Sequence, residues 1–449
     1  MRQPRPPAVR RGREFALLLL VTAIIGAGYW VVWQAYLPVW KTQFHLVPWR
    51  FFLPPVLMLP AWCLIAGALS RKRSRETLLL PTVALLCGLG LLLLLRLAGG
   101  AATQELQRAH EKLGPLFYHL YHKQLISFGI GLVVLWVMIL GWKDYRLLSR
   151  HKYVIAFTTV ALLLVMTLFG HAVEGQQVAL RLGPLAFQPH DVVKFLMVIF
   201  LAAYLVDKRE LIQVASGRFG MFTLMDLRYM GPLVALWILV LAIVIRHDDL
   251  GAAMLLFGSF LGVLYLGTGR LNYVIFGLLL AVAGALAVYW HVPRVQTRVA
   301  VWLNPWPQYD RKGYQICQSL MALGSGRAIG AGLAGGFPEQ VPAVETDMIY
   351  TVVSEDLGLL GAVFVIAVYL VLVGRIFHVA MQAEDPFGRL LAAGLAVTFA
   401  VQTFTILGGV TKLIPLTGIT LPFLSYGGTS LVVNLMLVGV VYKVSEAAE

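Results

Sequence analysis

Residues 301–361 read VWLNPWPQYDRKGYQICQSLMALGSGRAIGAGLAGGFPEQVPAVETDMIYTVVSEDLGLLG and interrupt an otherwise almost continuously apolar sequence. The segment is rich in Gly, Gln and Pro, but the apolar segments on both sides are long enough to span a bilayer. A connection of this length is usually functional or disordered. Because it has Tyr, Trp, Met and Leu side chains to pack, and few Ser or Lys, we expect it to be ordered and to carry the chemistry.

The composition indicates an integral membrane protein. The chain is 59% hydrophobic and 13% charged, whereas soluble domains are about half apolar and a quarter charged. The alternating strands of a membrane barrel are absent, so we predict an all-α fold. Twelve apolar runs have the length of membrane-spanning helices, at 15–38, 50–69, 77–99, 124–142, 152–170, 191–206, 230–246, 250–268, 271–290, 349–374, 388–411 and 430–444.

The net charge of +14 follows membrane topology and gives no indication of nucleic-acid binding. Basic residues concentrate in alternate connections, as the positive-inside rule requires of cytoplasmic segments. This asymmetry predicts that both termini are cytoplasmic, that loop 291–348 faces outward, and that the basic residues contact anionic membrane lipids. The cytoplasmic set is Arg2, Arg5, Arg10, Arg11, Arg13, Arg71, Lys72, Arg73, Arg75, Lys143, Arg146, Arg150, Lys152, Lys208, Arg209, Arg218 and Arg228.

Processing and cofactor signals are sparse. The first apolar run is long and no small-residue cleavage site follows it, which predicts a retained signal-anchor helix. Cys63, Cys87 and Cys317 provide neither a disulfide framework nor a metal site. No cofactor is predicted, and a divalent cation such as Mg²⁺ is left open.

Three polar segments allow both a structural and a functional interpretation. Lys194 follows Asp191 by three residues at the start of a predicted helix, so it can pair with Asp191 or line an outward cavity. The turn 246–251, taken alone, indicates a solvated hairpin. Residues 414–430 contain two prolines and three glycines between apolar spans, and such irregular backbone is tolerated at membrane depth when it lines a cavity or is buried in protein.

Taken together and in order, these segments resemble the SEDS family of peptidoglycan polymerases, which includes RodA, FtsW and SpoVE. The resemblance covers roughly residues 115–445. Its motifs are Lys123-Gln124, Gln188-Pro189 with Lys194, Asp249-Leu250-Gly251, Asn304-Pro305-Trp306, Tyr314-Gln315-Ile316-Cys317-Gln318-Ser319, Gly324-Ser325-Gly326, Gly330-Ala331-Gly332, Thr346-Asp347, Glu355-Asp356-Leu357-Gly358 and Leu421-Pro422-Phe423-Leu424-Ser425-Tyr426-Gly427-Gly428.

The resemblance implies a ten-helix core in the bacterial cytoplasmic membrane. That core would occupy residues 77–449 and include the large extracytoplasmic loop 291–348. A basic cytoplasmic tail at 1–14 and two additional N-terminal helices within 15–76 would precede it. The family polymerises lipid II into glycan strands and works with a class B penicillin-binding protein as transpeptidase, so we expect the same substrate and partner here.

The resemblance also assigns roles to individual residues. Asp347 matches the essential acid of the outer loop, and we predict it to be catalytic. Glu339 falls on an acidic position of some members, while Lys194 and Arg298 match basic positions that face the cavity. The predicted substrate contacts are Lys194, Arg298, Glu339, Gln315, Gln318, Asp249 and Ser425.

Several positions depart from the family pattern. An Arg-Trp pair of the family is Val178-Ala179 here, and its Ser-Glu pair is His190-Asp191. An Asn that precedes Pro415 is Ile406, and a Lys of division-type members is Thr417. These differences favour an elongation or sporulation type over a division type.

The expected chemistry requires a general base. A sugar hydroxyl attacks the anomeric carbon of a second sugar and expels a lipid pyrophosphate, and a carboxylate such as Asp347 can accept the hydroxyl proton. Lys194 and Arg298 would offset the charge of the leaving group. The structural alternative for Asp347 is an N-cap of the helix that follows, because Asp suits that position.

Two other classes of function remain open at this stage. A flippase or transporter of lipid-linked sugars also uses polar residues and broken helices at membrane depth, but its coupling acids would lie near the midplane. Here Asp249, Glu339 and Asp347 are predicted at the outer face. A non-catalytic scaffold of the cell-wall machinery would leave Asp347 dispensable.

Overall fold

Long apolar runs form the helices of the protein, because a helix pairs its own backbone groups where water is absent. The structure is a computed structural model and describes residues 9–44, 46–70, 76–108, 113–173, 176–182, 185–208, 216–219, 222–225, 227–247 and 249–447. Most of the predicted tail 1–14, the basic cluster 71–75, Arg209 and Asp248 lie outside the described residues.

The helices and strands are numbered here in chain order. The helices are α1 (Val9–Ala35), α2 (Leu37–Thr42), α3 (Pro48–Ser70), α4 (Leu79–Arg108), α5 (Leu113–Gly141), α6 (Leu147–Arg150), α7 (Lys152–Phe169), α8 (Pro189–Asp207), α9 (Leu227–Arg246), α10 (Leu250–Thr268), α11 (Leu271–His291), α12 (Pro293–Leu303), α13 (Tyr314–Ser325), α14 (Ile349–Gln382), α15 (Pro386–Val410) and α16 (Gly428–Glu446). The strands are β1 (His171–Val173), β2 (Gln176–Leu182), β3 (Leu185–Phe187), β4 (Ser216–Phe219) and β5 (Phe222–Met225).

The predicted helical membrane fold is confirmed. Within the described part of the chain, 11 helices are long and apolar enough to cross a membrane. The predicted span 230–246 coincides with α9, whose residues Gly231–Arg246 form a shorter apolar helix. The protein is therefore a multi-pass membrane protein, and the count of twelve spans stays a prediction.

The segment between α11 and α14 is ordered, as its composition predicts, but it is not one long loop. It contains the helices α12 and α13 and two 3₁₀ turns at Trp306–Gln308 and Pro338–Gln340. Pro293 begins α12, where its missing N–H group removes no helical hydrogen bond. Only the residues between these helices and turns lack regular secondary structure in this segment.

Two small antiparallel sheets add to the helical fold. One has the strand order β1-β2-β3 and the other consists of β4 and β5. In the first, Leu180 pairs with Phe187 and Leu182 with Leu185. The family departure at Val178-Ala179 lies on β2. These strands are not among the elements predicted from the sequence.

The chain divides into two compact units. The first consists of Met1–Gly141, Val301–Arg375 and Ile406–Tyr442, and the second of Trp142–Ala300, Ile376–Thr405 and Lys443–Glu449.

Helix α4 is the central helix of the first unit. Of its best apolar window, 94% is buried inside the protein, against 11% for the equally apolar α11. Glycines allow this close packing, since a Cβ at Gly28 would lie 2.4 Å from Leu92 and one at Gly88 would lie 2.8 Å from Ile25. Helix α4 is thus surrounded by protein, although its hydropathy alone would suit a lipid-facing helix.

Helix α8 belongs to the second unit, and 72% of its best apolar window is buried inside the protein. It packs against α7 and α10, and its buried face runs from Val193 to Leu205. Glycines again set the spacing, since a Cβ at Gly394 of α15 would lie 2.8 Å from Val198, and one at Gly262 of α10 would lie 2.4 Å from Val397. The N-terminal ends of α8 and α10 carry the polar residues Asp191, Lys194 and Asp249.

Candidate functional site

Asp347 lies in a tight turn directly before α14. The turn is closed by the carbonyl of Ala343, which accepts hydrogen bonds from the backbone N–H groups of Thr346 at 3.1 Å and Met348 at 3.2 Å. Ala343 has a φ of 54°, a left-handed conformation that alanine rarely adopts and that concentrates at functional sites. Asp347 is only 8% exposed, and its Oδ1 accepts a hydrogen bond from Thr346 Oγ1 at 3.2 Å.

The irregular segment 417–428 holds this turn in place. Ser425 Oγ donates to the carbonyl of Thr346 at 2.5 Å and accepts from the N–H of Leu421 at 2.9 Å. The N–H of Tyr426 donates to the carbonyl of Glu345 at 2.7 Å. Ser425 therefore orients the Asp347 turn through the backbone, and its predicted contact with substrate stays a prediction.

Helix α5 supports the segment from its other side. Gln124 Nε2 donates to the carbonyl of Ser425 at 3.1 Å, and Gln124 Oε1 accepts from the N–H of Gly427 at 3.1 Å. Gly418, with a φ of 73°, places its backbone so that a Cβ would lie 4.0 Å from Asp347 Oδ2. The resemblance motifs at 123–124, 346–347 and 421–428 thus come together in one hydrogen-bonded arrangement.

The capping alternative for Asp347 can be compared with the geometry. Helix α14 begins at Ile349, and the carbonyl of Met348 accepts from the N–H of Thr351 at 2.9 Å. Met348 therefore occupies the N-cap position, and Asp347 precedes it. Asp347 thus lies one residue before the N-cap of α14. Its catalytic role stays a prediction.

A fully buried arginine, Arg96 in the middle of α4, binds both sides of the segment that carries Asp347. Arg96 Nη1 lies 2.6 Å from Glu339 Oε2, and Arg96 Nε lies 2.6 Å from Asp356 Oδ2. Arg96 Nη2 also donates to Asp356 Oδ1 at 3.1 Å and to the carbonyl of Gly336 at 2.6 Å. We call Arg96, Glu339 and Asp356 the Arg96 clamp.

The carboxylates of the Arg96 clamp have further donors. Gln104 Nε2 donates to Glu339 Oε1 at 2.7 Å, and the N–H groups of Ala334 and Gly336 lie 3.3 Å from the two oxygens of Asp356. Burial raises the pKa of Glu339, although the guanidinium of Arg96 acts in the opposite direction. Glu339 was predicted to contact substrate; its side chain is engaged in this clamp, and substrate contact stays a prediction.

Arg96 is not among the site residues predicted from the sequence. The residue lies inside the predicted span 77–99, where it does not alter the hydropathy enough to interrupt the run. The available signal was the charge itself, because ionisable residues inside membrane helices are costly and usually have a partner and a task. The partners are 243 and 260 residues away in sequence, so spacing alone could not identify them.

The glycine-rich residues 326–336 pair with α14 through the backbone. The N–H groups of Ala331 and Gly332 donate to the carbonyls of Glu355 and Asp356, and the N–H group of Leu359 donates to Arg327. Gly358 interrupts the helix with φ 66° and ψ −166°, and a Cβ there would lie 2.2 Å from the backbone N of Gly330. The two Gly-containing motifs therefore meet because only glycine permits this approach.

Gln315 and Gln318 lie on α13. Gln315 Nε2 donates to the carbonyl of Pro342 at 3.1 Å, next to the Asp347 turn, and Gln318 Nε2 donates to the hydroxyl of Tyr309 at 3.1 Å. Neither side chain is fully buried. Their predicted role in substrate binding stays a prediction.

Lys194 belongs to the second unit and is 3% exposed. Its Nζ donates to Asp191 Oδ1 at 3.0 Å, so the predicted Asp191–Lys194 pair forms. It also donates to Gln402 Oε1 of α15 at 3.1 Å, a contact over 208 residues that the sequence did not indicate. The ammonium group is therefore held by two acceptors within its own unit.

The polar turn 246–251 is not a solvated hairpin, and that interpretation was wrong. Asp249 and His247 are 9% and 2% exposed, because they join a polar chain at the ends of α7, α8, α9 and α10. His190 Nδ1 lies 2.9 Å from Asp249 Oδ2, His247 Nδ1 lies 3.4 Å from His190 Nε2, and Thr167 Oγ1 lies 2.8 Å from His247 Nε2.

Asp249 also caps α10 by accepting from the N–H of Ala252 at 2.9 Å. Burial acts to raise the pKa of Asp249, but the hydrogen bond and charge of His190, the N–H of Ala252 and the charge of Arg298 together lower the pKa. Arg298, on α12 and half-buried, thus acts on Asp249 through its charge. Substrate contact by Asp249 and Arg298 stays a prediction.

The sequence left open whether a divalent cation is bound, and the described part of the chain shows no set of ligands for one. No group of three or more His, Cys, Asp or Glu side chains there is arranged to hold a metal ion.

The predicted site residues fall into two sets. The first unit contains Asp347, Glu339, Gln315, Gln318 and Ser425, and the second contains Lys194, Asp249 and Arg298.

Comparison with known sequences gives strong matches. The family model named for FtsW, RodA and SpoVE, described as a cell cycle protein, matches residues 76–449. The peptidoglycan glycosyltransferase RodA of Mycobacterium tuberculosis is 36% identical over 447 residues, which cover 99% of this chain and 92% of that protein. Stage V sporulation protein E of Bacillus subtilis is 30% identical over 84% of this chain and 98% of its own length.

Solved structures show the same fold. RodA of Thermus thermophilus superposes with a TM-score of 0.57 and 23% identity, covering 82% of this chain and 96% of that one. A chain from a structure described as the structural coordination of polymerization and crosslinking by a peptidoglycan synthase complex gives a TM-score of 0.62 and 24% identity, covering 79% and 97%. The resemblance inferred from the motifs is thereby confirmed, and the chain belongs to the FtsW/RodA/SpoVE family.

Proposed function

We propose that this protein polymerises lipid II into glycan strands at the outer face of the cytoplasmic membrane, with Asp347 as the general base. The chain is a peptidoglycan glycosyltransferase of cell-wall synthesis, as its family and its identity to named enzymes of that activity over 99% of its length indicate. Beyond that activity, we propose the nature of the substrate, the side of the membrane and the roles of the residues.

The observation that carries the proposal is the turn around Asp347. Its carboxylate is mostly buried, its backbone is tied to segment 417–428 by Ser425 and Tyr426, and its flanks are bound by Arg96. A reacting group benefits from such support, because a small displacement of a catalytic side chain lowers the rate strongly. A carboxylate held in this way is suited to accept a proton in one fixed direction.

The reaction balances with one base and no cofactor. The sugar hydroxyl oxygen of one substrate forms a bond to the anomeric carbon of the other, and the bond from that carbon to the lipid pyrophosphate breaks. The hydroxyl proton passes to Asp347, and the bonding electrons leave with the pyrophosphate. The leaving group is already a stable anion, so a second carboxylic acid is less necessary than in glycoside hydrolysis.

We propose that cationic side chains offset the charge of the pyrophosphate. Lys194 and Arg298 are the candidates, since charge-assisted hydrogen bonds to phosphate oxygens are strong. Lys194 is held by Asp191 and Gln402, and Arg298 acts on Asp249. Binding of substrate would replace part of the Lys194 contacts by contacts with phosphate oxygens.

The orientation in the membrane is inferred from the distribution of basic residues, and the partner protein from similarity to a solved structure. The positive-inside asymmetry supports cytoplasmic termini, an outward-facing segment 291–348, and contact of the basic connections with anionic lipids. The similar structure titled for polymerization and crosslinking by a peptidoglycan synthase complex supports a class B penicillin-binding protein as partner. The motif differences at Ile406 and Thr417 favour an elongation or sporulation role over a division role.

The experiment that tests the function is polymerisation of labelled lipid II by the purified protein in detergent or nanodiscs, with and without a candidate transpeptidase. We expect glycan strands to form, and the yield to rise with the correct partner. Transfer of lipid II between leaflets without glycan formation would favour the flippase instead. A protein that binds the partner but neither polymerises nor transfers lipid II would be the scaffold.

A further inference from the structure

The N-terminal helices reach the Arg96 clamp through one side chain. Tyr36 lies between α1 and α2, and its hydroxyl donates to the carbonyl of Ala334 at 3.3 Å. The N–H group of the same Ala334 lies 3.3 Å from Asp356 Oδ2, the oxygen that also receives Arg96 Nε. Tyr36 is therefore one residue removed from the buried ion pair, although it lies before the region that the family model matches.

Two glycines of α4, Gly99 and Gly100, leave space for the contact between Tyr36 and the clamp segment. A Cβ at Gly99 would lie 2.3 Å from Cδ2 of Tyr36 and 2.9 Å from Cζ2 of Trp40. A Cβ at Gly100 would lie 2.8 Å from Arg96 Nη1 and 2.9 Å from Glu339 Oε2. Two successive glycines thus admit the N-terminal aromatic rings on one side and the clamp on the other.

The phenol of Tyr36 lies within the electric field of the clamp. Burial raises the pKa of Tyr36 to about 12, and the charges of Arg96, Glu339 and Asp356 act on it as well. At neutral pH the hydroxyl therefore remains protonated and available as a donor. A second polar contact, from Gln43 Nε2 to the carbonyl of Ala102 at 3.5 Å, joins the end of α2 to α4.

We propose that the N-terminal helices α1–α3 are a positioning element for the catalytic segment, and that Tyr36 is the residue through which they close the Arg96 clamp. An ion pair is strong only where water is kept away from it, and the rings of Tyr36 and Trp40 cover the α4 turn next to Arg96. The closed clamp fixes residues 339 and 356, and with them the turn at Asp347. This inference rests on the proposed catalytic role of Asp347.

The test compares Tyr36→Ala with Tyr36→Phe in the full-length protein. We expect Tyr36→Ala to lower kcat for labelled lipid II about tenfold or more with KM unchanged, because misplacement of a catalytic group reduces turnover. Tyr36→Phe keeps the ring that covers the α4 turn and loses only the hydrogen bond to Ala334, so its loss of kcat should be much smaller. Hydrogen exchange should show faster exchange of the Thr346, Met348 and Tyr426 amides, which close the Asp347 turn, in Tyr36→Ala than in Tyr36→Phe.

Two glycines on α4 provide a matched pair that leaves Tyr36 itself intact. Gly99→Ala inserts a methyl group against Tyr36, whereas Gly88→Ala inserts one against Ile25 of α1, on the same helix α4. We expect Gly99→Ala to reproduce the kcat and exchange effects of Tyr36→Ala, and Gly88→Ala to leave both near wild type.

The exchange measurement separates this inference from the proposed function, because it requires no activity. Unchanged exchange at the Asp347 turn in both Tyr36→Ala and Gly99→Ala would overturn the inference, whatever the enzyme polymerises. Equal effects of Gly99→Ala and Gly88→Ala would also overturn it, since they would reflect general loosening of α1. If wild type fails to polymerise lipid II, the function is wrong, and the exchange result still decides the positioning role.

Discussion

Arg96 Nε and Asp356 Oδ2 lie 2.6 Å apart across 260 residues of sequence. The pair joins the centre of α4 to the point where α14 is interrupted at Gly358. Since Glu339 binds the same guanidinium, one cation holds the residues on both sides of the Asp347 turn. Removal of this cation leaves two buried carboxylates without a positive charge to balance them, although their neutral hydrogen-bond donors remain.

Arg96→Met should therefore destabilise the protein by about 3–5 kcal/mol, the usual effect of breaking a buried pair. Arg96→Lys keeps the charge but loses the planar fork, so we expect intermediate stability. Thermal unfolding in detergent measures both. Arg375→Met is the control, since Arg375 binds Glu76 at 2.6 Å but is 27% exposed, and partly exposed pairs contribute less. Equal shifts for the two methionine variants would contradict the central role of Arg96.

Asp347→Asn should abolish polymerisation while the protein still inserts and folds. Asn keeps the size and hydrogen-bonding reach of Asp but cannot accept the proton, a loss of about 10²–10⁴ in rate for a general base. Gel analysis of labelled lipid II products measures the rate, and membrane level and thermal unfolding serve as controls. Near-normal polymerisation by well-folded Asp347→Asn protein would leave Asp347 with a structural role only.

Glu339 should make stability depend on pH. Because burial raises the pKa of Glu339 above its ordinary value of 4.5, the folded state binds the proton more tightly than the unfolded state. The resulting stabilisation is complete below the ordinary pKa and is lost as the pH rises through the raised pKa. Thermal unfolding from pH 4 upward should show this decline in wild type and a flatter profile in Glu339→Gln. A profile that is identical in both proteins would contradict the raised pKa.

Gln308→Cys tests the orientation in the membrane. Gln308 lies in the 3₁₀ turn after α12, on the side predicted to face outward. In a background without Cys63, it should react with an impermeant thiol reagent on intact cells or spheroplasts. Lys143→Cys, in an exposed and predicted cytoplasmic connection, should react only after lysis. The reverse pattern would invert the topology and remove the site from the outer face.

The spans could be predicted because each depends on local hydropathy. Predicted and observed bounds agree closely for α7, α10 and α11, where polar or glycine residues mark the ends. The Asp191–Lys194 pair was likewise predictable, since three residues of helix separate its members. In α14, however, the interruption at Gly358 is set by contact with Gly330, which the helix itself does not encode.

The contacts around the candidate site could not be predicted from the spacing of residues in the sequence. Lys194 meets Gln402, Ser425 meets Thr346 and Arg96 meets Glu339 over 208, 79 and 243 residues. The turn 246–251 looked solvated because its residues are charged, but His190 and Thr167 from other helices bury it. Such burial depends on which helices are neighbours, a property that periodicity does not determine.

The separation of Arg96 from its partners has a consequence for biosynthesis. Glu339 is made 243 residues after Arg96, which at about 5–20 residues per second takes roughly 12–50 s. During that interval α4 carries an unneutralised guanidinium near its midpoint, at a cost of about 2.5–3.5 kcal/mol for stable insertion. We therefore expect the nascent helix to stay in the translocon, or to extend its arginine to the interface, until the ribosome has delivered Glu339 and Asp356.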